Sequence, residues 1–470
     1  MMRIAILGGG ISGLAIGWFL KQALGSHLQL TIIEKSQRPG GWIETLHKEG
    51  FLFEQGPRSC RSSGGGRETL ALIEALGLDH EVIVPHSDAK KRYVYHAPAT
   101  PAKKWELADH GRSLQSLPKK VWEIPFNSLT RNWLKVLWRD WWKPKRQQED
   151  ESIHSFFSRR VGSDWTENLI DPFVSGIYAG NCSRLSLKSC FPLFDEWELQ
   201  QGSLLRGAWH HRSQAIEQSP FIQKIGKSSL FSFQRGMETF PRALAAQLKD
   251  HLLLGQTVQR LRFENQEVQI ECSEGKSLCV DYVISTLPLF TLSGLLKDYP
   301  SLMTKLNQLS YATVTSINVG FHRAVLAYKG FGYLVPSRYG LPVLGCVWDS
   351  SIFPQQNLGD QTRLTIMMGG SRHLEVQEMS ESELFEQAQR VLYEHLGIGA
   401  QPDMMQVKKA SQAIPQFEVG HAKWKREIEE EIHQLVPQLM LSGSAWAGVS
   451  INDCVAQARR LAYIFRDKNS

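Results

Sequence analysis

Four glycines and one glutamate carry the first chemistry in this chain. Gly8, Gly9, Gly10 and Gly13 lie in Gly8-Gly9-Gly10-Ile11-Ser12-Gly13, between an apolar run at residues 4–7 and a helix-forming run at residues 14–24. A strand, a glycine turn and a helix in that order suit the diphosphate of a dinucleotide. Gly8 makes the tight turn, Gly10 lets the backbone approach the diphosphate, and Gly13 lets the helix touch the strand. The N-terminus of the helix that follows these glycines offers N–H groups and a partial positive charge to the anion. A second apolar run, Leu28–Ile33, ends in Glu34. It stands about 20 residues beyond the glycines, where a carboxylate accepts hydrogen bonds from ribose hydroxyls. The unit is βαβ.

Other chemistries find no support. No Ser/His/Asp, Cys/His or paired-carboxylate arrangement surrounds these motifs. The seven cysteines (Cys60, Cys182, Cys190, Cys272, Cys279, Cys346, Cys454) are scattered and form no CxxC pair, which points to a reducing compartment and to no metal site. The net charge of +6 over 470 residues is mild and not gathered into a stripe, so nucleic acid is not an expected partner. The apolar N-terminus is broken by Gly8, Gly9 and Gly10 and is read as mature fold rather than a secretory signal. No apolar run reaches the roughly 20 residues that cross a bilayer.

The elements that must position the glycine turn can be followed along the chain. A hydrophobic content of 42% over 470 residues supports two or three packed units. After about residue 90 a tryptophan-rich, basic stretch runs to Arg146, followed by a polar run over 147–152. A helix pattern at 237–248 then leads to strands at 258–263, 268–272 and 282–286, a return to the first unit. Strand patterns at 315–321 and 362–368 require a second sheet, and residues 439–465 read as strand, glycine-rich turn and helix. The expected domains are 1–90 with 225–295 and 425–470 for the dinucleotide, 91–224 as a helical region, and 296–424 for the substrate.

Seven further segments narrow the reading. They are Arg38-Pro39-Gly40-Gly41-Trp42, Phe53-Glu54-Gln55-Gly56-Pro57-Arg58-Ser59, Gly176-Ile177-Tyr178-Ala179-Gly180-Asn181, Ser189-Cys190-Phe191-Pro192, Gly330-Phe331-Gly332-Tyr333-Leu334-Val335-Pro336, Ile414-Pro415-Gln416-Phe417, and Gly443-Ser444-Ala445-Trp446-Ala447-Gly448-Val449-Ser450-Ile451-Asn452-Asp453-Cys454. In order and spacing they resemble the protoporphyrinogen oxidase family of the amine oxidase superfamily, over nearly the whole chain. The resemblance implies an α/β fold with a Rossmann-type FAD-binding domain, a mixed-sheet substrate domain and a helical membrane-associating region. It departs from the family at Arg235-Gly236, where a glycine pair is usual, and across residues 98–132.

Carried over residue by residue, the resemblance assigns FAD to Gly8, Gly9, Gly10, Ile11, Ser12, Gly13, Glu34, Lys35, Gly41 and Trp42. Gly56, Pro57, Arg58 and Ser59 would pass along the flavin, and Val258 would touch the adenosine part. Gly443 would open the C-terminal turn, in which Val449, Ser450 and Ile451 present backbone groups to the flavin ring. The helix after Asn452 would aim its N-terminus at the ring, favouring the negative charge of the reduced form. Phe331 and Leu334 would sandwich a tetrapyrrole, Gly176 would leave room for it, and Arg92 would pair with a propionate through its planar fork. No catalytic acid or base is assigned, because flavin N5 accepts the hydride. Molecular oxygen is the implied final oxidant and protoporphyrinogen IX the implied substrate. Coproporphyrinogen III is the first alternative, and it would need more basic groups than Arg92. An amine or carotenoid oxidase is the second, and a non-enzymatic relative would have a degraded glycine turn. A ferrochelatase and a second copy of the chain are the protein partners left open.

Six of the 14 tryptophans (Trp105, Trp122, Trp133, Trp138, Trp141, Trp142) crowd into one stretch. On a helix, Trp133, Leu134, Leu137, Trp138 and Trp141 share one face, and Arg131, Lys135 and Arg139 another, with Lys143, Lys145 and Arg146 following. Such a face either joins a core or lies on a membrane surface. The second reading predicts a cytoplasmic protein held peripherally on the inner face of the cytoplasmic membrane.

Overall fold

The computed structural model describes residues 1–96, 114–118, 132–143, 149–210, 219–264 and 266–469. Its first sheet has five parallel strands in the order Leu252–Leu253, Leu28–Ile33, Met2–Leu7, Tyr282–Ser285 and Leu439–Leu441. Ile4, Ala5, Ile6 and Leu7 are fully buried, as a continuous apolar run in a sheet covered on both faces must be. The helix Ile11–Leu24 crosses one face and packs on the helix Ile451–Asn469 from the far end of the chain. The helix expected at 237–248 forms over Thr239–Gln247, and the next two strands join Ser277–Val280 in a separate antiparallel sheet.

The second large sheet has seven strands, in the order Met404–Pro415, Tyr311–Phe321, Thr362–Gly369, Val343–Val347, Gly332–Leu334, Tyr93–Tyr95 and Leu114–Ser116. It is mixed: Gly332–Leu334 pairs antiparallel with Val343–Val347 and parallel with Tyr93–Tyr95. Two strands therefore come from the stretch expected to be helical. The period of two divides its residues cleanly. Ile317, Val319, Leu364, Ile366 and Met368 bury themselves with Leu384, Ala388, Val391 and Leu392 of the helix Glu381–Leu396. Asn318, Arg363, Thr365 and Met367 take the opposite face. That face meets the first unit, where Arg363 Nη1 donates to the Leu52 carbonyl at 2.7 Å.

The helix Trp133–Trp142 buries one residue, Asp140. Leu134, Trp138, Trp141 and Trp142 are 48–69% exposed, so this apolar face is not core. Arg139, expected on a basic face, instead donates from Nε to the Arg159 carbonyl at 3.0 Å. Trp105, Trp122, Arg131, Lys145 and Arg146 lie outside the described residues.

Asp140 holds this helix to its neighbours. Its carboxylate accepts from Ser203 Oγ at 2.7 Å and from the Leu205 N–H at 3.1 Å, capping the helix Leu204–His210. Arg160, fully buried, donates to the Asp140 carbonyl at 3.0 Å and from Nε to Glu198 at 2.9 Å. Burial pushes the Glu198 carboxyl up, and the hydrogen bonds and charges of Arg159 and Arg160 outweigh it, leaving its pKa below the ordinary value. Removing Arg160 would leave the buried Glu198 with Arg159 alone and the Asp140 carbonyl without this donor. Arg160→Ala should therefore cost on the order of 1–3 kcal/mol in urea unfolding followed by tryptophan fluorescence, less than the about 3–5 kcal/mol of a fully unpaired buried charge.

Candidate active site

Gly8 sits at φ +104°, where a side chain is strained, and a Cβ there would lie 2.6 Å from Thr286 Oγ1. A Cβ on Gly13 would lie 2.0 Å from the Gly8 carbonyl oxygen, so helix and turn touch through bare backbone. Gly10 differs. Its φ is −74° and the nearest atom to an added Cβ is Gly41 Cα at 3.8 Å, so the turn is open on that side. Gly40 N–H donates to the Gly9 carbonyl at 2.8 Å, laying the Arg38-Pro39-Gly40-Gly41-Trp42 segment against the turn.

Glu34 is buried at the end of its strand. One oxygen accepts from Gly9 N–H at 2.7 Å and the other from Ser36 N–H at 2.9 Å and Ser36 Oγ at 2.7 Å. These bonds use three of about four lone-pair positions, leaving room for a hydroxyl donor. Lys35 beside it is exposed. Gln256 N–H donates to the Glu34 carbonyl at 3.0 Å, bringing Val258, half-buried on the strand Val258–Glu264, to the same end.

From Gly10 a trough continues past Trp42, 43% exposed, to the segment Gly56, Pro57, Arg58 and Ser59. A Cβ on Gly56 would fall 1.9 Å from the Trp42 carbonyl oxygen, so these two stretches also meet backbone to backbone. The C-terminal turn closes the far end. Gly443, at φ +85°, abuts the Thr286 carbonyl at 2.9 Å from a would-be Cβ. Val449 and Ser450 are half-buried and Ile451 is buried. Ser450 Oγ donates to Asp453 at 2.6 Å and accepts from Asp453 N–H at 3.1 Å, capping the last helix. Asn452 Nδ2 donates to the Arg61 carbonyl at 3.0 Å, tying this turn to the segment that follows Ser59.

The expected substrate residues fall in two contacting pairs, Gly176 with Leu334 and Arg92 with Phe331. Leu334 Cδ2 lies 2.8 Å from where a Gly176 Cβ would be, so Gly176 is small because Leu334 takes its place. Phe173, one turn before Gly176 on the helix Asp171–Tyr178, and Ile177, directly after it, are exposed apolar residues. The Arg92 guanidinium stands 5.3 Å from the centre of the Phe331 ring. Partial burial, and then repulsion from Arg61, lower its pKa.

A polar cluster unseen in the sequence lies between the trough and the second sheet. Arg58 reaches Asp349, with Nε 3.4 Å from Oδ1. Glu54 is buried beside it, its carboxyl pushed up to about 7 by burial against the opposing bonds of Met237 N–H and Thr45. Asp349 follows a strand as a lone acid in Trp348-Asp349-Ser350-Ser351. It carries no motif, and only its contact with residue 58 reveals it.

A dinucleotide fits these residues. Besides the opening at Gly10, the buried hydroxyls of Ser285 and Ser442 lack partners at the carboxyl ends of two adjacent strands, and Gln55 Nε2 and Arg58 Nη2 are buried donors without acceptors. The carboxyl edge of a parallel sheet is where such ligands bind.

Residues 11–464 match the family described as flavin containing amine oxidoreductase. Protoporphyrinogen oxidase of Bos taurus is 32% identical over 98% of this chain and 97% of its own length. Coproporphyrinogen III oxidase of Bacillus subtilis (strain 168) is 28% identical over 98% of each. A solved structure from Exiguobacterium sp. 255-15 superposes with a TM-score of 0.81 at 24% identity, covering 99% of both chains.

The glycine geometry separates two kinds of substitution. Gly10→Val, whose Cβ would stand 3.8 Å from the nearest protein atom, should give protein without flavin absorbance whose flavin-free melting temperature equals that of flavin-stripped wild type. Gly13→Ala forces a backbone overlap and should lower that temperature as well, by an overpacking cost of about 1–3 kcal/mol. Absorbance at the flavin band and thermal melts of the stripped proteins check both.

Proposed function

The chain belongs to the flavin-containing amine oxidoreductase family and, within it, to the protoporphyrinogen oxidase family; from that membership we propose that it oxidises protoporphyrinogen IX to protoporphyrin IX. It is an FAD-dependent oxidase. Bound FAD supplies the hydride acceptor and molecular oxygen takes the electrons on. The residues that would hold it are those of the glycine turn, Glu34 with Lys35, Gly41 and Trp42, Gly56 to Ser59, Val258, and Gly443 with Val449, Ser450 and Ile451.

One observation carries the choice of substrate: Arg92 stacks on Phe331, and Leu334, three residues on, meets Gly176 between the exposed Phe173 and Ile177. A flat, largely apolar macrocycle lies along such side chains and puts its carboxylates at the charged end. Burying the rings orients the methylene bridge and excludes water from it. Among the described residues, Arg61 lies close enough to Arg92 to repel it, and such a pair of cations suits the two propionates of protoporphyrinogen.

The exposed face of Leu134, Trp138, Trp141 and Trp142 is enlarged by Leu205 and Trp209, and Arg206 stacks on Trp141 at 4.1 Å. With Lys135 and Lys143 at its rim, this face suits an anionic bilayer surface. No described helix is long and apolar enough to cross a membrane. The reading is peripheral attachment at the cytoplasmic membrane's inner face, where the apolar product passes to a ferrochelatase.

Anaerobic mixing with protoporphyrinogen IX should bleach the flavin band faster than mixing with coproporphyrinogen III, and amines should leave it unchanged; equal or reversed porphyrinogen rates would move the assignment to the tetracarboxylate. Arg92→Ala should raise KM roughly tenfold or more through loss of a charged hydrogen bond, with flavin content intact. On the surface face, co-sedimentation with anionic vesicles should be lost in the Trp138→Ala, Trp141→Ala double variant, while flavin content and melting temperature stay at wild-type values.

A further inference from the structure

Arg58 leaves the trough and crosses to the second sheet. Its backbone is fixed by Ser232 Oγ, which donates to the Arg58 carbonyl at 3.1 Å. Its side chain, 17% exposed, stops with Nε 3.4 Å from Asp349 Oδ1. Nη2 finds no acceptor in the protein, while Nε meets Asp349 as an ion-pair contact. Burying a guanidinium donor without a partner is costly, so Nη2 awaits an acceptor that the chain does not supply.

Asp349 is itself held from behind. Thr365 Oγ1 lies 2.7 Å from Asp349 Oδ2 and 2.8 Å from Asn318 Oδ1, while Asn318 Nδ2 has no partner. One hydroxyl hydrogen serves one acceptor fully. Turning the Asn318 amide over satisfies all three groups: Asn318 Nδ2 donates to Thr365 Oγ1, which donates to Asp349. Asn318 and Thr365 are cross-strand partners, so this chain is built into the sheet register. The neighbouring Trp348 N–H donates to the Phe331 carbonyl at 3.0 Å, tying the backbone beside Asp349 to that of Phe331.

The other charged groups of the cluster are occupied. Arg363 donates to the Leu52 carbonyl at 2.7 Å and to Asn357 Oδ1 at 2.9 Å. Glu54 accepts from Met237 N–H at 2.8 Å and Thr45 Oγ1 at 2.9 Å. Asp349 is left as the anchor of Arg58.

We propose that Asp349 is a positioning residue for the flavin: through Asn318 and Thr365 it holds Arg58 so that the free Nη2 donor faces the cofactor ring and favours its reduced, negatively charged form. This rests on FAD occupying the trough. If purified wild-type protein bound no FAD, that reading would fail before this one could be tried.

The test is the midpoint potential of the bound flavin, measured by dye equilibration alongside flavin content and melting temperature. Arg58→Gln should shift the oxidised-to-reduced ratio at fixed potential at least tenfold toward oxidised, about 30 mV more negative for two electrons. Asp349→Asn separates anchoring from bare charge. A carboxylate acting only through its own charge would raise the potential when neutralised. An anchor should lower it toward the Arg58→Gln value, and the double variant should match Arg58→Gln alone. A rise, or no change, with FAD bound overturns the proposal. Should Asp349→Asn fold poorly, Thr365→Val removes the supporting donor without changing charge; a smaller fall supports the anchor, and an unchanged potential refutes it.

Discussion

The contact on which the rest of this molecule depends is between two pieces of bare backbone, the Gly8 carbonyl and Gly13. A methyl group at residue 13 would lie 2.0 Å from that oxygen, well inside any allowed approach. Because helix and turn can close to that distance, the first N–H groups of the helix Ile11–Leu24 stand above the carboxyl edge of the parallel sheet, where their donors and the helix dipole would suit an anion. The same economy recurs where Gly41 meets Gly10 and Gly56 meets Trp42. The trough is thus walled by backbone, and the side chains near it are free to face the substrate.

The second sheet answers with its polar side. Its apolar residues turn away to the helix Glu381–Leu396, leaving Asn318, Arg363 and Thr365 to meet the first unit. A face shared between two units is usually apolar, and here buried ion pairs and amide contacts fix the relative placement instead. Such groups add little net stability, but they demand one geometry, because any slip leaves a charge unpaired.

Much of this was legible in the sequence wherever a local rule governs the residue. Gly8, Gly10 and Gly13 state their roles by spacing, and the runs at 4–7 and 28–33 state theirs by continuous apolarity. The pattern Trp133, Leu134, Leu137, Trp138, Trp141 announces a helix and a face but not what covers the face, since core and membrane select the same residues. Asp349, Asp140 and Glu198 were silent. Each is one acid in an ordinary stretch, and its importance comes from a cation distant in sequence, such as Arg58 or Arg160. Local patterns cannot report contacts of that kind, and Tyr93–Tyr95 escaped as a strand of the second sheet for the same reason.

The first sheet is assembled from widely separated parts of the chain. Arg3 N–H donates to Asp281 at a separation of 278 residues, and the strand Leu439–Leu441 and the helix Ile451–Asn469 complete the unit. A ribosome releases residues in order, so the glycine turn emerges long before the strand that flanks it and the helix that packs on its own. Until residue 452 is made, the turn has no lid and the apolar runs of residues 4–7 and 28–33 have one side uncovered. Nascent chains in that state are natural clients of chaperones, and slow long-range pairing prolongs the exposure. Cofactor loading would therefore be a late event in the life of each molecule, since a chain that stops before residue 439 lacks the strand and the helix that flank the glycine turn.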